Sequence, residues 1–190
     1  MYSKKLLLLG GPSGSGKSTL ASALETRYGT ITHSLILPLY RALEDLLLPP
    51  DDISILPWDQ QDFKASKIPH SNKTYRELLI AGGRFARQYL GEDFFSRRAH
   101  QEISTLFAAD LADVVVIPNI RFINELEYFD RNPIPDCEQT IILLTRENTS
   151  WENDIGDIHF YTPDEFPYLP IQIENNSAID DLVTKVALYI

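Results

Sequence analysis

A glycine-rich segment between an apolar run and a helical pattern constrains the fold more than any other feature of the sequence. Residues 6–9 are four consecutive leucines, as expected of a strand buried on both faces of a sheet. Residues 11–18, Gly-Pro-Ser-Gly-Ser-Gly-Lys-Ser, follow at once and match the pattern GxxxxGK[ST]. A helical pattern then begins at Ser18. Strand, loop and helix in this order predict a cradle of backbone N–H groups that binds phosphate at a helix N-terminus.

The loop predicts binding of ATP together with Mg²⁺. Lys17 is expected to neutralise charge on the β- and γ-phosphates, and the Ser18 hydroxyl to ligate the metal. The alternative is an incidental glycine-rich turn with a surface lysine, which the flanking strand and helix disfavour. The predicted ATP contacts in this segment are Gly11, Ser13, Gly14, Ser15, Gly16, Lys17, Ser18 and Thr19.

Strand and helix patterns alternate along the rest of the chain. This alternation predicts one α/β domain over residues 1–190, a parallel β-sheet flanked by helices. Residues 51–71 show no sustained periodicity and are predicted to be irregular. Further strands are expected at 31–37, 114–117, 140–145 and 170–173, and helices at 18–28, 39–48, 74–89 with an interruption at Gly82-Gly83, 93–106, 122–129 and 177–190.

Composition narrows the classes of function. The net charge of -10 disfavours binding to a nucleic-acid polymer. The single cysteine, Cys137, excludes an internal disulfide and suits a reducing compartment. No stretch approaches the about 20 apolar residues of a membrane span. We therefore expect a cytoplasmic protein that acts without a membrane.

Basic residues are concentrated in the middle of this acidic chain. Eight of the 17 lysines and arginines lie between positions 64 and 98. Arg76 and Arg87 are three helical turns apart and are predicted to share one face beside Gly83. Two guanidiniums on one face suit a phosphate or a carboxylate. The alternative is a solvated helix face on which Glu77 and other local groups are the partners.

The predicted strand at 114–117 ends in polar residues at the edge where ligands of parallel sheets bind. Arg121 is positioned there to bind a transferring or accepting phosphate, and Glu125 could orient it by an ion pair. Asn119 has two interpretations that the sequence leaves open. It could accept a hydrogen bond from a metal-bound water, or it could cap the next helix.

Three blocks of the sequence together resemble the phage-type deoxynucleoside monophosphate kinases. They are residues 11–19, residues 75–93 with Tyr-Arg-Glu-Leu-Leu, Gly83, Arg87 and Gly91-x-Asp93, and residues 120–125 with Ile-Arg-Phe-x-Asn-Glu. The resemblance covers most of the chain, from about residue 6 to 146. It implies a P-loop kinase fold that transfers the ATP γ-phosphate to a deoxynucleoside monophosphate.

The resemblance also implies roles for individual regions and residues. Residues 37–110 would be mainly the acceptor-binding helical region, and residues 146–169 a lid-like segment. Lys17, Arg87 and Arg121 would be catalytic, and Arg76, Arg87, Arg121 and Asp93 would bind the acceptor. A homodimer is a further expectation, in the host cytoplasm if the chain is phage-encoded.

The sequence departs from the family pattern in two places. The family has Asp-Val-Arg-Phe where this chain has Asn119-Ile-Arg-Phe, so the carboxylate that organises the metal is replaced. Residues 147–184 contain no lysine or arginine, so Arg146 is the local candidate for a lid contact with ATP; His159 is the one matching residue of a further family element. Two alternatives therefore stay open. One is a P-loop kinase of another small phosphorylated metabolite, and the other is a nucleotide-binding relative with weak or no catalysis.

Overall fold

Five parallel strands form one sheet in the computed structural model, which describes residues 3–49, 51–150 and 170–190. Their order across the sheet is β2-β3-β1-β4-β5, so β1 lies at the centre with a partner on each side. All pairs are parallel, and the carboxyl ends of the strands therefore meet at one edge. The strands are β1 Lys4–Gly10, β2 Ile31–Thr32, β3 Val114–Ile117, β4 Cys137–Thr145 and β5 Ile171–Glu174.

Helices flank this sheet, which confirms the predicted fold class. Four of them, α2 to α5, lie in the chain between β2 and β3. Within the described ranges, no helix has the length and apolar character needed to cross a membrane. The helices are α1 Lys17–Tyr28, α2 Leu37–Leu47, α3 Gln61–Ala65, α4 Tyr75–Leu90, α5 Phe94–Ala108, α6 Ile123–Arg131 and α7 Ile179–Val186, and a 3-10 turn, Ala187–Tyr189, follows the last.

The side chains of β1 alternate between two hydrophobic clusters, one on each face of the sheet. Leu6 and Leu8 join the cluster that α5 and α6 cover, and Leu7 and Leu9 join the cluster that α1 and α7 cover. All four leucines are at most 1% exposed. Burial on both faces explains why this strand reads as a continuous apolar run.

The strand predicted at 31–37 is largely wrong, because only Ile31–Thr32 is extended. β2 is an edge strand that pairs with β3 alone, and one further bond, from His33 N to Val116 O, ends the contact. The chain then turns into α2, whose first turn contains Pro38. Proline is well tolerated there, because its missing N–H would have no helical partner.

Two further predictions about the helices need correction. Gly82 and Gly83 do not interrupt α4, which is continuous and begins with a capping box formed by Thr74 and Glu77. Gly82 instead permits a close approach of α2, since a Cβ at this position would lie 2.8 Å from a methyl carbon of Leu39. The region 51–71 contains the short helix α3, whose five residues are too few to show a period.

The two core clusters predict the effect of removing a large side chain. Phe129 is 0% exposed, whereas Phe85 is 60% exposed on α4. Phe129→Ala should lower the free energy of unfolding by about 3–5 kcal/mol through lost burial and the remaining cavity. The matched control Phe85→Ala should change it by less than about 1 kcal/mol. Urea denaturation measures both, and equal losses would contradict this description of the core.

Candidate active site

At two positions of the loop between β1 and α1, an added side chain would collide with a neighbouring residue. Gly16 is the residue that precedes α1, with a φ of 97° in the left-handed region. A Cβ at Gly16 would lie 2.3 Å from Nδ2 of Asn175, and a Cβ at Gly11 would lie 2.3 Å from the carbonyl oxygen of Leu144. Glycine is therefore required by both conformation and space. A glycine-rich turn thus leads directly into the N-terminus of α1, a position at which anions commonly bind.

Lys17 extends across the inside of this loop. Its ammonium donates to the carbonyl oxygens of Gly11 at 2.7 Å and Pro12 at 2.8 Å, and to the Ser15 hydroxyl at 3.3 Å. Lys17 is only 8% exposed. The ammonium is therefore held inside the loop by two carbonyl oxygens and one hydroxyl.

Asn175 supports the loop through a hydrogen bond of its side chain. The sequence had suggested no role for this residue. Its side chain is buried and donates from Nδ2 to the carbonyl oxygen of Ser15 at 2.9 Å. Its backbone N–H donates to the carbonyl oxygen of Thr145, 2.8 Å away, which anchors it to β4. A polar residue directly after β5, at the carboxyl edge of the sheet, is the signal that could have found it.

Arg121 lies next to the phosphate loop because β3 and β1 are neighbours. The backbone N–H of Ile120 donates to the carbonyl oxygen of Leu9, 3.2 Å away, which joins the two strand ends. Glu125 fixes the same turn from the other side. One of its carboxylate oxygens accepts from the backbone N–H of Arg121 at 2.8 Å and of Phe122 at 3.1 Å.

Glu125 also forms a buried ion pair with Arg87. The guanidinium donates to the second carboxylate oxygen at 3.0 Å, and it lies over the rings of Phe122 and Phe95, at 4.2 and 5.1 Å from their centroids. Burial raises the pKa of Glu125, while the backbone N–H groups and the Arg87 charge oppose that rise. The Glu125 carboxylate thus contacts Arg121 at its backbone N–H and Arg87 at its guanidinium.

Asn119 ties two loops together. Its Oδ1 accepts from the backbone N–H of Leu35 at 3.1 Å, and its Nδ2 donates to the Ser34 hydroxyl, also at 3.1 Å. The alternative in which Asn119 caps the next helix is wrong, because Phe122 occupies the N-cap of α6 and Glu125 supplies the side-chain cap. Asn119 thus attaches the segment before α2 to the end of β3.

Charge interactions also connect Arg121 with residues of the helices that lie between β2 and β3. Burial lowers the pKa of Lys64, and the charges of Arg76 and Arg121 lower it further. The pKa of Tyr40 is raised to about 12, chiefly by burial, while the Arg121 charge opposes the rise. Arg76 also donates a hydrogen bond to the side chain of Gln61. The predicted site residues Arg76 and Arg121 therefore both lie near enough to Lys64 for their charges to affect its pKa.

The other predicted site residues are exposed or make only local contacts. Ser13, Gly14, Ser18 and Thr19 are exposed on the loop and the start of α1. Arg146 is exposed after β4, and the turn that it begins reaches the loop through Thr149, whose methyl carbon would lie 3.5 Å from a Cβ at Gly14. Asp93 precedes α5 without capping it and pairs with Arg97 at 3.3 Å. His159 and residues 151–169 of the predicted lid lie outside the described residues.

The glycine-rich loop and Lys17 are compatible with the phosphates of ATP, and among the described residues Ser18 is the candidate ligand for the metal. The Ser18 hydroxyl is exposed at the start of α1, where a metal bound to the phosphates could reach it. Across the described ranges, no group of three acidic, histidine or cysteine residues is arranged to hold a metal ion. Mg²⁺ commonly keeps several waters and takes its other ligands from phosphate oxygens, so this arrangement is compatible with it.

No family model matches the chain, and no curated protein matches it either. Several solved structures are similar over nearly the full length. The dephospho-CoA kinase of Campylobacter jejuni is 12% identical, with a TM-score of 0.45 over 97% of this chain and 94% of that one. The APS kinase of Mycobacterium tuberculosis is 18% identical, with a TM-score of 0.44 over 100% and 98%. A gluconokinase from Sinorhizobium meliloti is 13% identical, with a TM-score of 0.39 over 97% and 89%. Likenesses this distant do not decide what the chain binds.

Two left-handed glycines provide a matched test of the phosphate loop. Gly29, at the end of α1, has a φ of 66° and nothing within 4 Å of an added Cβ, whereas Gly16 faces Asn175. Gly29→Ala should cost about 1–2 kcal/mol of stability and leave ATP binding unchanged. Gly16→Ala should weaken ATP binding at least about tenfold, because a displaced Asn175 no longer supports the loop. Calorimetric titration with an ATP analogue distinguishes them, and equal affinities would contradict the loop geometry.

The buried ion pair gives a second test, on one helix. Glu125→Ala should lower the free energy of unfolding by about 3–5 kcal/mol, because it leaves the Arg87 charge buried without its partner. The control Glu127→Ala removes an exposed pair with Arg131 on the same helix, and should cost less than about 1 kcal/mol. Chemical denaturation measures both. A loss for Glu125→Ala as small as the control's would show that the pair does not hold this turn.

Proposed function

We propose that this chain transfers the γ-phosphate of ATP to a deoxynucleoside monophosphate, with Mg²⁺. The observation that carries the proposal is the hydrogen bond from Ile120 to Leu9, which places the Arg121 turn beside the phosphate loop. In this proposal the loop after β1 is the donor-phosphate site and Arg121 binds a second phosphate, each at the end of one of two neighbouring strands. Phosphoryl transfer depends mainly on such positioning and on charge neutralisation.

The donor side of the site is built from the phosphate loop. Bound ATP and Mg²⁺ supply the transferable phosphoryl group and neutralise part of its charge. Lys17 would exchange its hydrogen bonds to the loop carbonyls for the β- and γ-phosphate oxygens, and Ser18 would contact the metal. Backbone N–H groups of the loop would bind the remaining oxygens. Thr149 lies beside Gly14, and Arg146 begins the same turn, so both could approach the same phosphates from the β4 side.

The acceptor side is built from arginines on separate elements. Arg121 would bind the acceptor phosphate and stabilise the charge that develops during transfer. Arg76 would hold the same phosphate from α4. Arg87 has its guanidinium in the pair with Glu125, so it would act partly by fixing the turn that carries Arg121. Asp93 is proposed to contact the acceptor from the start of α5.

A second candidate function rests on Asn119. Its amide is engaged with Ser34 and Leu35 and brings no negative charge toward the metal. A chain of this kind could bind ATP without efficient transfer, as a nucleotide-binding regulator. A third possibility keeps the kinase chemistry and changes the acceptor to another small phosphorylated metabolite.

Incubation with ATP, Mg²⁺ and each of the four deoxynucleoside monophosphates tests the proposal directly. At least one should yield its diphosphate in stoichiometric balance with ADP. Lys17→Ala should reduce the rate at least about a hundredfold, because a charge that stabilises the transferring phosphate is lost. The control Lys185→Ala removes an exposed lysine from α7 and should leave the rate unchanged.

The same experiment separates the alternatives. ATP binding without any diphosphate product would favour the nucleotide-binding regulator. Transfer to other phosphorylated metabolites, but to none of the four nucleotides, would show that the acceptor class is wrong.

A further inference from the structure

The side chain of Asn176 continues the bonding between β4 and β5 one step past the end of the sheet. The two strands pair as far as Thr145 and Glu174, and the backbone N–H of Asn175 then donates to the carbonyl oxygen of Thr145 at 2.8 Å. Next along the chain, the backbone N–H of Glu147 donates to Oδ1 of Asn176, also at 2.8 Å. In a parallel ladder the acceptor would be a backbone carbonyl, and here an exposed side chain replaces it.

The residues that follow β4 form a tight turn, 146–149. The backbone N–H of Thr149 donates to the carbonyl oxygen of Arg146 at 3.2 Å, and the Thr149 hydroxyl donates to the same oxygen at 2.6 Å. Asn148, the third residue of this turn, has a φ of 59°, a left-handed conformation that asparagine adopts more readily than most residues do. These bonds close the turn, and the bond to Asn176 attaches it to the end of β5.

This turn lies against the tip of the phosphate loop. The methyl carbon of Thr149 is 3.5 Å from the place that a Cβ on Gly14 would occupy. Gly14 is exposed and has a φ of 84°. The backbone N–H of Ser15 donates to the carbonyl oxygen of Pro12 at 3.2 Å, so Gly14 is part of a tight turn of its own. Two turns therefore face each other, one in the phosphate loop and one after β4.

The two consecutive asparagines support the phosphate loop at different points. Asn175 bonds directly to the carbonyl oxygen of Ser15. Asn176 acts indirectly, because it fixes the turn whose threonine methyl faces Gly14. A loop that is already held in its binding shape loses less conformational entropy when a ligand binds. Loss of the Asn176 bond should therefore weaken the binding of phosphate at the loop.

We propose that Asn176 is a positioning residue for the donor nucleotide, which acts by holding the turn 146–149 against the phosphate loop. This inference rests on the donor side of the proposed function. The turn also begins with Arg146, for which a contact with ATP is proposed, so a fixed turn places this side chain as well. The proposed acceptor residues Arg76 and Arg121 lie on other elements, and acceptor binding should not depend on Asn176.

Calorimetric titration with the β,γ-imido analogue of ATP and Mg²⁺ tests the inference without requiring turnover. Asn176→Ala removes the acceptor for the Glu147 N–H, while Asn176→Asp keeps an oxygen in the same place. Salt at about 0.15 M screens the charge that the aspartate adds. Asn132→Ala is the matched control, because this exposed side chain also makes one bond of 2.8 Å to the backbone, from Nδ2 to the carbonyl oxygen of Tyr128 at the end of α6.

The expected affinities differ among the variants. Asn176→Ala should bind the analogue about fivefold more weakly than wild type, the scale of one net hydrogen bond. Asn176→Asp keeps the acceptor and Asn132→Ala lies away from the loop, so both should stay within about twofold of wild type. The two alanine variants should lower the melting temperature to a similar extent, which separates the effect on binding from a general loss of stability. In assays of transfer, Asn176→Ala should raise KM for ATP and leave kcat and the acceptor KM unchanged.

A double-mutant cycle tests whether the effect passes through the turn. Thr149→Ser removes the methyl that faces Gly14 and keeps the hydroxyl that bonds to Arg146. If Asn176 acts by holding this methyl in place, the double variant should bind the analogue within about twofold of the weaker single variant. Losses of affinity that multiply would show that the two residues act independently, and would contradict the proposed role of the turn.

Other results would overturn the inference. They are equal affinities of Asn176→Ala and Asn132→Ala, or an Asn176→Asp variant that binds as weakly as Asn176→Ala. No binding of the analogue by wild type at millimolar concentration would refute both the donor site and this inference. Analogue binding that depends on Asn176, in a protein that transfers no phosphate, would refute the proposed function and keep the inference. Transfer with an unchanged KM for ATP in Asn176→Ala would keep the proposed function and refute the inference.

Discussion

The central position of β1 in the sheet determines which strands and loops become neighbours in this fold. With β3 on one side and β4 on the other, β1 is buried on both faces, and its carboxyl end opens into the phosphate loop. Parallel pairing then brings the ends of β3, β4 and β5 to the same edge. At that edge, the backbone N–H of Ile120 donates to the carbonyl oxygen of Leu9, and the backbone N–H of Asn175 donates to the carbonyl oxygen of Thr145. Strand pairing thus brings the loop after β1 and the turn that carries Arg121 to neighbouring positions.

The sequence predicted correctly those elements whose formation depends on a few adjacent residues. The continuous apolar runs gave β1 and β3, and the loop pattern gave the cradle around Lys17, because such features need only a few adjacent residues. Features that depend on distant partners were missed. The Asn175 contact with Ser15 spans 160 positions, and the Arg87 pair with Glu125 spans 38.

The errors have the same origin. The strand expected at 31–37 ended early because β2 has one neighbour in the sheet and proline favours an early start of α2. The two adjacent glycines of α4 resembled an interruption of the helix. Gly82 instead leaves space for Leu39 of α2, and the sequence of α4 alone does not reveal this neighbour. Asn119 suits a helix cap by residue type, and its actual partners lie 84 and 85 positions away.

Charge is distributed unevenly along this chain. The chain carries a net charge of -10, yet eight of its 17 lysines and arginines lie between positions 64 and 98. A crystal structure with the imido analogue of ATP, Mg²⁺ and a deoxynucleoside monophosphate tests the central claim most directly. We expect the acceptor phosphate at Arg121, facing the γ-phosphate held by Lys17. A monophosphate bound away from the junction of β1 and β3 would contradict the proposed transfer.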